Sequence, residues 1–227
     1  MFVNAINFNG DISNWNTSSV INMANMFQGA SSFNQPLNNW NTSKVTIMSS
    51  MFQGATSFNQ PLNSWNTSSV TEMRYMFWNA TAFNQPLNNW NTSKVNNMQR
   101  MFREATVFNQ PLNNWNTSSV TDMERMFYLA TSFNQDISNW NVSSVTTASA
   151  MFDGITFPTV VYDGILIKWS KQTLKPNVTI SFGSSKYSNG LPLDSKNLIA
   201  SNFTWTITDG GSTGETYIDR KKLRYSK

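Results

Sequence analysis

FNQPLNNWNTSKVTIMSSMFQGATS, residues 33–57, decides the fold, because the chain shifted by 25 residues falls on itself. Trp15, Trp40, Trp65, Trp90, Trp115 and Trp140 mark six passes. Met-Phe pairs beginning at 26, 51, 76, 101, 126 and 151 keep step, as do Phe-Asn pairs beginning at 8, 33, 58, 83, 108 and 133. A fixed period of this length marks stacked repeats. No insertion or deletion disturbs it, which argues against separate beads on drifting linkers and predicts rungs stacked in register.

Inside one unit the apolar spacing changes. Val45, Met48, Phe52 and Ala55 follow i, i+3, i+7, i+10, with Met51 beside Phe52. That is the pattern of a helix face about three turns long. Thr42 and Ser43 stand where an N-cap oxygen belongs, and Gly54 where the helix would end. Leu37 and Trp40 lie in an Asn-rich stretch opened by Pro36, which predicts a strand of about three or four residues with proline at its first position. The expected fold class is therefore α/β: a solenoid of 25-residue strand–helix rungs. The recurrent Trp, Val, Met, Phe and Ala steps form ladders, about 4.8 Å apart where strands pair. The Trp column reads as core, since unvarying apolar columns flank it; a sugar-stacking platform is the competing reading. Asn34, Asn59, Asn84, Asn109 and Asn134, and the Asn that follows each Trp, read as turn residues able to bond to backbone in the next rung.

Composition narrows the function classes. Hydrophobic residues make up 39 % and aromatics 14 % of 227 residues, enough to bury a core. Cysteine and histidine are both absent, which removes disulfides, thiolate metal sites, cysteine nucleophiles and the commonest general base. No apolar run is long enough to span a membrane. Residues 1–155 carry six Lys/Arg and seven Asp/Glu, whereas residues 156–227 carry ten and five. The repeats thus lack the basic stripe of a nucleic-acid binder. The cationic excess gathers in Arg220, Lys221, Lys222, Arg224 and Lys227, the composition of a solvated tail.

Three segments follow. Residues 1–155 hold the repeats and begin in mid-unit at Met1-Phe2, in register with Met26-Phe27. No polar cap covers the first rung, so a longer product or another molecule is expected over that end. Residues 156–211 leave the period and read as a small α/β cap: helix at 162–169, strand at 178–182, helix at 193–200 and strand at 203–208. Residues 212–227 read as a basic tail or linker.

Units of the form W-N-T-S-x-V-x-x-M-x-x-M-F-x-x-A-x-x-F-N-Q resemble the repeats of BspA-like leucine-rich-repeat bacterial surface proteins. The likeness covers residues 1 to about 155, in six passes. It implies a leucine-rich-repeat-like solenoid at the cell surface or outside the cell, used for adhesion or for binding other proteins. It also implies that residues 156–211 are the module closing such arrays. F-x-x-x-L-x-x-W replaces the L-x-x-L-x-L strand of that family, so a horseshoe with a concave sheet does not follow.

Catalysis has little support. Glu72, Glu104, Asp122 and Glu124 are scattered, and Asp11 and Asp136 stand in one column at opposite ends of the array; acid–base hydrolysis needs two carboxylates in one site. No phosphate-binding loop or nucleophile elbow appears. No catalytic residue, metal or cofactor is assigned.

Binding has a better footing. Counted from each Trp, steps +7, +9, +10, +13 and +14 vary, between the core steps +5, +8, +11, +12 and +15, which change only at Ala148 and Ile155 in the last pass. The first passes place small polar residues there; later ones place Arg74, Tyr75 and Trp78, then Arg100 and Arg103, then Arg125 and Tyr128. Arg, Tyr and Trp are enriched at interface hot spots, so these seven residues are the expected site for a protein ligand on a host or neighbouring cell. Drift on an unconstrained surface is the plain alternative. Two other functions remain: assembly by end-to-end stacking through the open first rung, and, as a minor reading, ice or carbohydrate binding. The ice reading rests on the column Thr17, Thr42, Thr67, Thr92, Thr117, which ends in Val142.

Overall fold

A computed structural model describes residues 1–218. Every unit places its unvarying side chains inward, and Phe27, Phe52, Phe77, Phe102, Phe127 and Phe152 are all fully buried. Their rings form one column with centroids 5.4–5.7 Å apart. A second column, Phe33 to Phe133, runs beside it, and Phe27 meets Phe33 within its own rung at 4.0 Å. The Trp column is core as well: each indole from Trp40 to Trp140 donates Nε1–H to the carbonyl of Ile12, Leu37, Leu62, Leu87 or Leu112 at 2.9–3.1 Å. Each buried ring thereby keeps its one polar atom paired.

The helix expected at 45–55 does not form, and no helix precedes Thr159. Backbone groups divide between two sets of partners instead. The N–H groups at steps +8, +10, +12 and +14 cross to the next rung: Met48 to Glu72, Ser50 to Arg74, Phe52 to Met76 and Gly54 to Trp78, at 2.7–3.0 Å. Those at +11, +13 and +15 close three-residue-back turns within the rung: Met51 to Met48, Gln53 to Ser50 and Ala55 to Phe52. All of these donors are satisfied without a helix. The turns start every two residues, at 48, 50 and 52, and every second one begins on an inward residue, Met48 and then Phe52; that step of four is close enough to the helical 3.6 to give the same apolar spacing. Their signature is a left-handed residue at +10 (Asn25, Ser50, Tyr75, Arg100, Arg125, Ala150) and at +14 (Gly29, Gly54, Asn79, Glu104, Leu129, Gly154), with φ between 52° and 81°. At +10 and +14 this is the conformation a type II turn requires at its third residue.

The strand expected at 37–40 is a turn, closed by Trp40 N–H to the Leu37 carbonyl at 3.1 Å. True ladder pairing is a line of single parallel bridges at step +7, from Asn22 through Ile47, Glu72, Asn97 and Asp122 to Thr147. The Thr column is buried and does not cap helices. Each hydroxyl from Thr17 to Thr117 donates to the carbonyl of the Asn at the head of the next rung, at 2.9–3.1 Å. That burial removes the exposed threonine array on which the minor, ice-binding reading rested. The Asn columns behave as the turn reading predicts: Asn34, Asn59, Asn84 and Asn109 each accept the backbone N–H of the matching Asn one rung on.

The last rung is covered by α1 (Thr159–Trp169), β1 (Thr179–Ser181), β2 (Tyr187–Asn189), α2 (Leu191–Phe203), β3 (Thr206–Thr208) and β4 (Ser212–Thr216). Strand β1 continues the stack, since Ala148 bridges to Ile180 in parallel and β3 pairs in parallel with β1. Phe182 extends the Phe column, stacked on Phe152 at 5.3 Å. Strand β4 pairs with β2, so Ser212–Thr216 belongs to a sheet and not to the expected tail. The remaining basic tail, with Arg220, Lys221, Lys222, Arg224 and Lys227, lies outside the described residues. At the other end Phe2, Phe8 and Trp15 finish the aromatic columns only partly covered, with Met1, Val3 and Ile6 exposed. Among the described residues, no helix is long and apolar enough to cross a membrane.

Candidate functional site

The overlapping turns point their varying residues outward, and six of the seven expected site residues meet there. Tyr75, Arg100 and Arg125 occupy the left-handed +10 column; Trp78, Arg103 and Tyr128 occupy +13. Rungs lie close enough for a long side chain to reach the one above or below. The Arg103 guanidinium lies over the Trp78 ring at 4.8 Å and over the Tyr128 ring at 5.1 Å. Arg100 lies over Tyr75 at 5.6 Å and Arg125 over Tyr128 at 5.9 Å. Tyr75 touches Trp78, with centroids 5.8 Å apart. Arg74 is exposed and stands apart from the rings, beside Glu72.

Three residues absent from the sequence-based site complete it. Glu124 accepts from Arg100 Nη2 at 2.9 Å and from Gln99 Nε2 at 2.9 Å, with Arg125 Nη1 at 3.5 Å. Gln99 Oε1 accepts the Tyr75 hydroxyl at 2.6 Å. Glu104 accepts from Arg103 at 2.8 Å through one oxygen and from Trp78 Nε1 at 3.3 Å through the other. The signal for Glu104 and Glu124 lay in the same varying columns, where acids appear one rung or one residue from the arginines they hold.

The result is a neutral, cross-tied surface. Arg100, Arg103 and Arg125 are paired with Glu104 and Glu124, and the varying steps of these three passes carry four arginines and four acids in all once Arg74, Glu72 and Asp122 are counted. Burial raises the Glu72 carboxyl above its ordinary range, against the Arg74 N–H and the Arg74 charge; the Asp122 charge adds to the rise. Asp122 is raised too, first by burial and then by Glu124, against the Glu124 N–H and Arg100. Such tied arginines and rings lose little further freedom when something docks on them.

The cap holds a second polar cluster. Asp209 accepts the Tyr162 hydroxyl and the Lys196 ammonium, each at 2.7 Å. Burial, with Asp209 next, pushes the Tyr162 phenol above its ordinary range and keeps it protonated. Asp163 accepts both the N–H and the hydroxyl of Ser188. These bonds join α1, β2, α2 and the loop before β4, a structural role. Among the described residues, no group of three or more acids forms a metal centre.

No curated protein and no solved structure matches the chain. A family described as "Mycoplasma protein of unknown function, DUF285" matches residues 1–86 and again residues 62–158. Those overlapping spans take in all six Trp-marked passes and stop at the threshold of α1, so this repeat protein belongs to that family.

Proposed function

We propose that the chain is a non-catalytic surface or secreted binding protein, a BspA-like, leucine-rich-repeat-like solenoid that attaches to a protein on a host or neighbouring cell. The observation that carries this reading is the Arg–aromatic surface on the third to fifth passes. Tyr, Trp and Arg side chains are enriched among the anchors of protein interfaces, and here, half-buried, they are held in place before any partner arrives. The surface is close to neutral, which favours a protein partner over a polyanion. Membership in a repeat family agrees with a display scaffold but assigns no ligand. Surface attachment comes from the resemblance of the repeats.

The test is adhesion of the purified chain to cultured cells before and after trypsin treatment of the cells. Arg125→Ser with Tyr128→Ser lowers binding at least about tenfold and leaves thermal unfolding unchanged, while trypsin removes the binding. Equal binding by the variant ends this reading. A second reading, end-to-end assembly, has one observation in its favour: the partly covered Phe2, Phe8 and Trp15 rings beside exposed Met1, Val3 and Ile6. Sedimentation velocity over a wide concentration range decides it, because a concentration-independent monomer argues against assembly.

A further inference from the structure

A groove runs along the +14 column, lined by Asn4, Gln28, Gly29, Gln53, Gly54, Trp78, Asn79 and Glu104, with a volume of about 260 Å³. It exists because Gly29 and Gly54 carry no side chain where later rungs hold Asn79, Glu104 and Leu129. From Asn4 to Glu104 it covers four rung-to-rung steps, about 19 Å at ~4.8 Å each. It is long, narrow and open.

Its chemistry selects a ligand class. The floor's N–H groups are already spent, Gly29 on the Gln53 carbonyl and Gly54 on the Trp78 carbonyl, both at 2.7 Å. An extended peptide would therefore find no edge to pair with. Of the residues that line it, Glu104 alone is charged, which disfavours anions. What lines it is a run of amides, each able to donate and to accept. Gln28 Nε2 donates to Gln53 Oε1 at 3.1 Å, which fixes the first two of them rung over rung. At the far end stands Trp78, half-buried, with Arg103 over its ring at 4.8 Å and Tyr75 beside it, and it lines the groove together with Gln53. Hydroxyl groups match such amides, and the C–H face of a pyranose matches an indole.

We propose that this groove binds a neutral, linear oligosaccharide, with Trp78 as the stacking wall and Gln28, Gln53 and Asn79 as the hydroxyl partners. The site is separate in its chemistry from the protein-binding surface, with which it shares Trp78 and Glu104. Hydroxyls alternate along a sugar chain as the amides alternate along the stack, and no charge on the ligand is needed.

The test titrates the full chain, uniformly ¹⁵N-labelled, with cellohexaose, chitohexaose, maltohexaose and mannohexaose in turn. One of them is expected to shift the Trp78 indole resonance among those of the nine tryptophans. Gln28→Ala with Gln53→Ala weakens that binding at least about tenfold at an unchanged unfolding temperature. Asn79→Gly, which keeps the left-handed backbone, weakens it less. The titration needs no protein partner, so failure of this proposal and failure of the protein-binding reading are told apart. The proposal is overturned if none of the four binds at about 10 mM, or if binding survives the double substitution.

Discussion

Replacing Thr92 by Val tests whether the buried threonines join one rung to the next. Thr92 is 1 % exposed and its hydroxyl donates to the Asn116 carbonyl at 2.9 Å, a carbonyl that takes no backbone N–H. Val keeps the shape and removes the donor. The lost bond is worth about 1 kcal/mol, and the unpaired carbonyl adds about 1 kcal/mol or more. The extra apolar group returns part of this, about 0.8 kcal/mol at most. The net expectation is a loss of about 1–2 kcal/mol, or roughly 3–6 °C in Tm for a chain of this size. The chain supplies its own control. Val142 stands in the Thr column where no seventh rung follows, and its N–H goes to Gln172 Oε1 at 2.8 Å. Val142→Thr should therefore bring no gain, and should destabilise if its hydroxyl is left without an acceptor. Urea unfolding followed by tryptophan fluorescence gives both midpoints. A Thr92→Val protein as stable as its parent would refute the reasoning, because the hydroxyl would then contribute nothing between rungs.

Two further predictions concern charge and backbone. The folded pKa values of Glu72 and Asp122 lie above their usual 4.5 and 3.8, so the folded state binds the extra protons and stability rises as pH falls from 7 through the raised values. Glu72→Gln with Asp122→Asn is accordingly more stable than the parent at pH 7, and thermal melts show that lead shrinking on acidification; a constant lead contradicts the assignment. Gly183 has φ +57° and an added Cβ would strike the Ile155 carbonyl, so Gly183→Ala costs upwards of about 2 kcal/mol and lowers the urea midpoint, whereas Gly190→Ala, with nothing within 4 Å, pays only for its left-handed backbone.

The period, the core columns and the Asn ladder could be read in the sequence because each is a matter of identity at a fixed interval. The local conformation could not. Val45, Met48, Phe52 and Ala55 satisfy a helical template, yet the deciding partners of Met48, Ser50 and Phe52 are carbonyls 24 residues away, invisible to any local pattern. Gly54 was a clue of the wrong kind: it does hold φ +70°, but so, at +56°, does Ser50 four residues earlier, and a helix has only one such end. The clustered Arg, Tyr and Trp residues of the candidate site were legible as departures from the repeat. Glu104, Glu124 and Gln99 stood in the same varying columns but were passed over, since acids and amides there look like solvated surface until their reach to the next rung is known. Arg74 shows the converse, an arginine of the right type whose side chain stays outside the cluster.

The bonds from Met48 to Glu72 and from Phe52 to Met76 all point from one rung to the next. Tension along the stack therefore falls on one rung's set of bonds at a time, and the rungs behind carry load only after it has parted. A 25-residue unit peeled away and drawn straight yields up to about 85 Å of chain, against about 5 Å of stack given up. Under a steady pull the array would pay out like a tape, lengthening many-fold at a nearly constant force.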